Sequence, residues 1–580
     1  MRKVLAALAI SALACATHAE NAATPLADPV LEPPTLHCLG TYWIISGDDN
    51  ANARIEVFWR VKDSAEWRAG APLFRVEKGA HKTAEHGTKL DVPESAWLFA
   101  GSVLFLTPAT EYELKLALSD PDGGTAEKLL TARTRGEPEL SENARKFHVA
   151  PGSGGGSGTA ADPFKGIAAA QKNAKPGDIF LLHAGTYEGM VEINRNGEPG
   201  KPIAWCAAGD GEVVLNGPGK TGKGSRVIAA NDTHDLWFEG LTIRNADYGI
   251  VVQDCSGIVI KRCTISGVDF GIACTRNGKD NVRGFFISDN TISGPSTWPR
   301  TKGIESARGI QITGAGHVIC YNRISAFADA IDTFPSARCA AIDIHNNDIS
   351  ECTDDGIEMD YSERNTRCFY NRLTNVYQGL SVQPVYGGPV YVLRNALYNV
   401  TAEPFKMHNS PSGALMMHNT VVKEGPPLIL MTDAKVRNCV LRNNLYVGTK
   451  APYAFECQPM MLGCDFDYDA FAGGPFSIFL KWNKQRYQTA ESVKTKAPVY
   501  RNLLVVEPDS LFESNAAPPA DPNAQAPLKA NDLRLKKDAP VIDTGAILPG
   551  INDGFTGKAP DRGAYEAGAA LPHYGPRPAK

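Results

Sequence analysis

The sequence lacks the features that would make it a membrane, nucleic-acid or zinc protein. Beyond the first twenty residues no run approaches the ~18 uninterrupted apolar residues needed to span a bilayer. There is no block rich in Lys and Arg, and the formal charge of −5 argues against nucleic acid as the main partner. No two cysteines are spaced CxxC, which removes the common structural zinc sites. Thirteen cysteines in 580 residues do not make a disulfide-built scaffold. Cys255, Cys263, Cys274, Cys320, Cys352, Cys368 and Cys439 lie in strand-like runs and read as buried free thiols. Cys457 and Cys464, close together in a loop-like stretch, are the pair expected to bridge in an oxidising compartment.

At the start of the chain, Arg2 and Lys3 precede an apolar run from Val4 to Ala16, and small residues end at Ala19. Residues 1–19 therefore read as an export signal, and the protein as secreted or periplasmic. Ala12-Leu13-Ala14-Cys15 loosely resembles a lipobox, so lipoprotein anchoring is the alternative. The remaining length exceeds one compact core and predicts two or more domains.

Residues 36–136 predict a small β-sandwich. Tyr42-Trp43-Ile44-Ile45, the run Ala53 to Arg60 and the run Tyr112 to Leu118 alternate at period two, the mark of half-buried strands. The run Leu106 to Leu114 resembles the late-strand signature of fibronectin type III domains. That resemblance implies a module that positions or spaces a catalytic domain. Residues 151–158, Pro-Gly-Ser-Gly-Gly-Gly-Ser-Gly, read as flexible punctuation, and 163–174 as a helix before the apolar strand Ile179 to Leu182. This order resembles the helix that plugs the first coil of a pectate-lyase-like β-helix, where an open end exposes apolar interior and unpaired backbone.

The strongest signal is a repeat. Asn290, Asn322, Asn347, Asn371, Asn395, Asn419 and Asn443 each open a short strand-like run, at spacings of 32, 25, 24, 24, 24 and 24 residues. A period near 24 with short β-rich units indicates a solenoid, and asparagine at one recurring turn can stack as a ladder. Apolar residues at period 3.6 are missing, which excludes a helical repeat. The fold class read from residues 145–450 is all-β, a right-handed parallel β-helix. Residues 451–570 lose the period and read as a cap over the last coil, with a disordered tail from Pro572.

A second landmark sets the register. Gly249-Ile250, Gly271-Ile272, Gly309-Ile310, Ala330-Ile331, Gly356-Ile357, Gly379-Leu380 and Pro404-Phe405 each open a strand whose apolar residue points inward. Alternation then sends the next residue outward, giving the column Val251, Ala273, Gln311, Asp332, Glu358, Ser381, Lys406. Two places on, the column is Gln253, Thr275, Thr313, Phe334, Asp360, Gln383, His408. Asp329, Asp354 and Asp355 fall at the turns leading into these strands. Acids stacked in this way repel one another unless a cation intervenes, and oxygen-rich clusters suit calcium. A solvated acidic face is the plain alternative, and for Lys406 an ordinary salt bridge to Glu403 or Asp360.

Asp354-Asp355-Gly356-Ile357-Glu358, with Asp329 one coil earlier and Phe405-Lys406 two coils later, resembles the site of family-9 pectate lyases. The resemblance implies that Asp329, Asp354, Asp355 and Glu358 bind calcium and that Lys406 is the base. Glu358 departs from the family's aspartate, and the family's loops are not recognisable here. The chemistry is coherent without the family. β-Elimination from a uronate removes the proton at C5, a cation on the carboxylate stabilises the charge that develops, and a base on the same face takes the proton. The two coils between Glu358 and Lys406, ~10 Å of stack, leave room for an ion and a carboxylate.

Around this column, Asp360, Gln383, Tyr386, Arg394 and His408 are the candidate substrate contacts. Residues 383–389 read as a projecting loop that offers Tyr386 to a sugar ring. The insertion from Gly294 to Ala307, with Trp298, reads as a groove wall. Arg394 lies near the Asn ladder, as a structural or groove residue. The implied partner is an acidic polysaccharide met by a monomer. Two competing functions stay open. Asp332 and Glu358 on adjacent rungs suit a glycoside hydrolase, and the same surface suits a non-catalytic glycan-binding protein.

Overall fold

The computed structural model describes residues 20–80, 90–275, 281–301, 303, 305–333, 339–528 and 532–579. The expected export signal, Cys15 and Phe334 lie outside the described residues. Among those residues no helix is long and apolar enough to cross a membrane.

Two antiparallel sheets come first, as the period-two runs predict. One is built on the strands Leu39–Ser46 and Trp97–Val103, the other on Arg54–Val61, Glu111–Ser119 and Thr125–Arg133. Their facing side chains, among them Trp43, Ile55, Phe99, Leu114 and Leu116, form one apolar core. This is the small β-sandwich.

The rest is a parallel β-helix. Its coils build two long sheets of parallel strands, one starting at Lys146–Ala150 and one at Gly185–Glu188. Isoleucines stack down the interior: Ile250, Ile272, Ile310, Ile331 and Ile357 form one column through direct strand pairing, all fully buried. Such stacking suits β-branched residues, which pack well on a pleated surface.

The Asn ladder forms. From Asn290 through Asn322, Asn347, Asn371, Asn395 and Asn419, each side-chain N–H donates to the next Oδ1 at 2.9–3.0 Å. Each amide also donates to a backbone carbonyl of the preceding coil, as Asn371 does to Ile344 at 2.9 Å. The next rung is Asn444, not Asn443. That coil is 25 residues long, and Asn443 turns instead towards His418 and the carbonyl of Ala546. Asp469 ends the ladder, accepting from Asn444 at 2.9 Å and from the Tyr500 hydroxyl at 3.0 Å. Burial pushes its carboxyl up to about 7.

Several local readings are corrected. The plug helix is only Ile167–Ala170, with Ile167 and Ala170 in the core; Phe164–Lys165 before it is a strand on Lys146–Ala150. The glycine-rich stretch is a folded turn inside the first coil, because Lys146–Ala150 also pairs with Ile179–Leu182 beyond it. Gly156, at φ +82, has no room for a side chain: a Cβ there would lie 2.0 Å from the Pro163 carbonyl. Coils continue past the loss of the 24-residue spacing, through Leu445–Val447, Ala470–Ala472 and Leu504–Val506. The last coil is closed by the helix Ala490–Lys496 and by Val493, Val499 and Tyr500. Leu533, Val541, Ala564 and Tyr565 cover the flank formed by Ala396, Val422, Leu445 and Ala470 instead. The tail beyond Pro572 is held, since Arg577 pairs with Asp289 at 2.7 Å and Glu137 at 2.8 Å.

The sandwich docks on the helix through buried polar groups. The Tyr391 hydroxyl accepts from the Ser102 N–H at 3.0 Å, and Arg364 pairs with Glu32 at 2.6 Å. Arg367, fully buried, pairs with Asp343 at 2.5 Å and donates to the Ser102 hydroxyl at 3.1 Å. A buried guanidinium is tolerable only when paired and hydrogen-bonded in this way.

Candidate active site

Strand pairing follows the expected outward column throughout. Ala273 lies beside Gln311, Gln311 beside Asp332, Asp332 beside Glu358, Glu358 beside Ser381, and Ser381 beside Lys406. The strands Asp329–Asp332, Asp348–Glu358, Arg372–Ser381 and Phe405–Lys406 carry it.

The acids and the amine meet in one cluster. Carboxylate oxygens of Asp329, Asp355 and Glu358 lie within 4.8 Å of one another. Lys406 Nζ donates to Asp355 Oδ2 at 2.6 Å and stands 3.8 Å from Glu358 Oε1. The gap expected between Lys406 and Glu358 is therefore closed. Rung spacing measures backbone separation, and Ser381 between them is small enough for two long side chains to reach across. The cluster lies at the foot of the surface, with Lys406 and Glu358 about one-tenth exposed.

A cation that sequence reasoning missed organises the far side. Arg308 pairs with Asp329 through Nη1 and with Asp332 through Nε, both at 2.7 Å. Gln311 adds a bond to Asp332 at 3.2 Å. Arg308 is the strand partner of Asp329 one coil earlier. The signal was present, since Arg308 precedes Gly309-Ile310 as Asp329 precedes Ala330-Ile331. Residues of the insertion reach the strand that carries the cluster. Arg300 faces Asp354 at 3.3 Å with its guanidinium over the Tyr377 ring, and Glu305 accepts from the Thr353 hydroxyl at 2.8 Å.

The other expected site residues divide. Asp354 turns to Arg300 and stands outside the group of three. Asp332 is fully buried beneath Arg308, which removes it from contact with a substrate. Asp360 is buried and accepts from the Ser381 hydroxyl at 2.7 Å and the Gln383 N–H at 2.6 Å, so it fixes the floor. The Gln383 side-chain oxygen is buried. Tyr386 is 4% exposed, in a strand paired with Ser412–Met417. Residues 383–389 do not project, because the sandwich packs on them: a Cβ on Gly387 would meet Val76 at 2.4 Å. Arg394 pairs with Glu566 of the C-terminal segment at 3.2 Å and is structural. His408 bonds Glu403 at 2.6 Å beside the cluster.

Burial governs the protonation of these acids. It pushes Glu358 up to about 10, with Asp360, Asp329 and Asp332 adding repulsion. It pushes Asp360 up to about 8 and Asp329 to about 7, each raised further by Asp355. Asp355 is raised well above the carboxylate range by burial, against the pull of Lys406. Burial alone would lower the Lys406 amine, but Asp355 and Asp360 outweigh it and hold the ammonium. The six carboxylates of Asp329, Asp332, Asp354, Asp355, Glu358 and Asp360 face three cations, Arg300, Arg308 and Lys406. One oxygen of Asp355 is buried with no hydrogen-bond partner. An orphan oxygen in an over-acidic group of three carboxylates fits a hard divalent cation such as calcium.

Residues 226–397 match the family model described as "Right handed beta helix region". The fold is a right-handed parallel β-helix. The chain is 30% identical over 142 residues to the uncharacterized protein YwoF of Bacillus subtilis (strain 168), a stretch covering 24% of this chain and 28% of that protein. Among solved structures, pectate lyase Pel9A has 18% identity and a TM-score of 0.43, covering 74% of this chain and 97% of that one. XylC in complex with xylose has 13% identity and a TM-score of 0.44, covering 63% and 88%. The alginate lyase of Paenibacillus sp. str. FPU-7 has 17% identity and a TM-score of 0.34, covering 47% and 89%.

Proposed function

We propose that the protein is a carbohydrate-active enzyme that cleaves a uronate-containing polysaccharide by β-elimination, with Lys406 as the base. The observation that carries this reading is one amine packed among three carboxylates on an outward face of the β-helix. Lys406 takes the proton from C5 of the uronate; the electron pair left behind forms the C4–C5 double bond and expels the C4 oxygen. A base must be the free amine, and the Asp355 contact holds the amine protonated. Calcium held by Asp329, Asp355 and Glu358 would take up that negative charge, lower the amine's pKa and act as a Lewis acid on the uronate carboxylate. Arg308 keeps Asp329 and Asp332 in place. Arg300, at the groove wall, is the guanidinium available to a neighbouring uronate carboxylate. Export of the chain on residues 1–19 and action as a monomer belong to the same reading.

The test is a screen of acidic and neutral polysaccharides, with calcium and with chelator, following the ultraviolet absorbance of the unsaturated uronate. Calcium-dependent absorbance that is absent in Lys406→Ala supports elimination. Hydrolysis is a second reading, favoured by the burial of Glu358, which raises its carboxyl towards the protonated state a general acid needs. New reducing ends without the absorbance, and insensitive to chelator, would replace elimination with hydrolysis. Binding without either product would leave a glycan-binding protein.

A further inference from the structure

Two cysteines outside the acidic cluster stand at equivalent corners of successive coils. Cys439 precedes the strand Val440–Arg442, and Cys464 precedes Asp465–Asp467; these strands pair Val440 with Asp465. The strands before each corner, Lys435–Arg437 and Met460–Leu462, are also in register. Each cysteine follows a residue in the left-handed region, Asn438 at φ +49 and Gly463 at φ +62. Backbone bonds tie the two corners together on both sides, from the Asn438 N–H to the Leu462 carbonyl and from the Asp465 N–H to the Cys439 carbonyl, each 2.9 Å. Residues related in this way are ~4.8 Å apart along the stack, inside the Cα range that a disulfide spans without backbone movement. At these matching corners the Cys439 thiol faces the Arg437 carbonyl at 3.2 Å and the Cys464 thiol faces the Val436 carbonyl at 3.5 Å.

Cys457, the partner expected from sequence, sits elsewhere. It ends the strand Tyr453–Cys457 on a different sheet, and its thiol faces the Pro459 carbonyl. Cys439 is fully buried, whereas Cys464 is partly exposed beside the exposed Leu462.

We propose that Cys439 and Cys464 are a covalent modification site, a disulfide between successive coils that forms when the protein meets a disulfide donor. Cys464 is the entry thiol. Its thiolate attacks the donor's disulfide, forming a mixed disulfide and leaving the donor's other sulfur as a thiol; the Cys439 thiolate then attacks Cys464 Sγ, and the second donor sulfur leaves as a thiol. Two protein thiols lose two protons and two electrons, and the donor's sulfur–sulfur bond gains them. The neighbouring Cys439 holds the Cys464 thiol below its ordinary value, which favours the first step, while burial protects Cys439 from other reagents. The linkage fastens the coil whose Arg437 and Asn438 reach the sandwich, at Glu77 (3.3 Å) and the Arg75 carbonyl (3.0 Å).

The test uses the full chain, purified without reductant and then incubated with oxidised glutathione. Free thiols are alkylated in denaturant, and peptides are mapped by mass spectrometry. The expected result is a Cys439–Cys464 linked peptide, two hydrogens lighter than the separate peptides, with the remaining cysteines alkylated. Reduction is expected to lower the thermal midpoint of the wild type by several degrees and leave that of Cys464→Ser unchanged. Recovery of Cys439 and Cys464 both alkylated after the glutathione treatment, or of a Cys457–Cys464 link in place of Cys439–Cys464, would overturn the proposal. Because the peptide map reads the wild type, a variant that fails to fold does not decide the outcome.

Discussion

The amine of Lys406 meets the carboxylate of Asp355 at 2.6 Å, though fifty-one positions separate them in the chain. The β-helix makes this contact by stacking coils, so the pair is held by the same register that holds the core. Replacing Lys406 with Ala removes the proposed base while the coils keep their interior. Turnover is expected to fall by ~10²–10⁴, the usual worth of a general base. Lys406→Arg is expected to fall as far, since a guanidinium does not deprotonate. Initial rates of ultraviolet absorbance, with circular dichroism to verify the fold, check both.

Arg308 stands between two buried carboxylates. Arg308→Ala leaves Asp329 and Asp332 without their cation, and removing one partner of a buried pair costs about 3–5 kcal/mol. Urea unfolding is expected to give a midpoint lowered accordingly, with Arg308→Lys intermediate. An unchanged midpoint would mean that these carboxylates do not depend on Arg308.

Calcium is expected to raise the thermal midpoint of the wild type, because an ion that binds only the folded chain stabilises it by mass action. Asp355→Asn and Glu358→Gln should each reduce that shift, and chelator should abolish it. Differential scanning fluorimetry across a calcium series measures this without any substrate.

Much of this arrangement was legible beforehand, for a physical reason. Parallel coils repeat one register, so residue numbers a coil apart translate into neighbours in space, and the column from Gln311 to Lys406 could be read from Gly-Ile landmarks. The same logic failed where side-chain reach rather than backbone spacing decides. Lys406 and Glu358 bridge two rungs because Ser381 between them is short. Adjacent asparagines also hid the ladder's true rung, since a 24-residue spacing favours Asn443 while the coil closes at Asn444. Tyr386 was misread because Pro and Gly mark a turn but do not reveal what packs on it; here the sandwich does. Arg308 could have been found by extending the acidic turn column one coil upstream.

Asp469 gives the fold a pH dependence of its own. Its carboxyl titrates at about 7 when folded and near the ordinary aspartate value of ~3.9 when unfolded. Between these values the folded chain holds a proton that the unfolded chain has released, so stability falls as pH rises through that window and is level above it. Asp469→Asn retains an acceptor for the Asn444 amide and removes the titration. The variant is expected to show a flatter thermal midpoint between pH 4 and pH 7 and to be the more stable protein at pH 8. Melting curves across a pH series check this.

Arg577 joins Asp289 and Glu137, residues 288 and 440 positions earlier in the chain. A knot of that span has a temporal meaning. While the chain is being made, the early coils and the sandwich must hold their shape by nearest-neighbour stacking alone, because their final fastening has not yet emerged. Such distant closures are slow to find, so the completed molecule should differ from its nascent fragments less in outline than in how firmly the sandwich and the coils are held together.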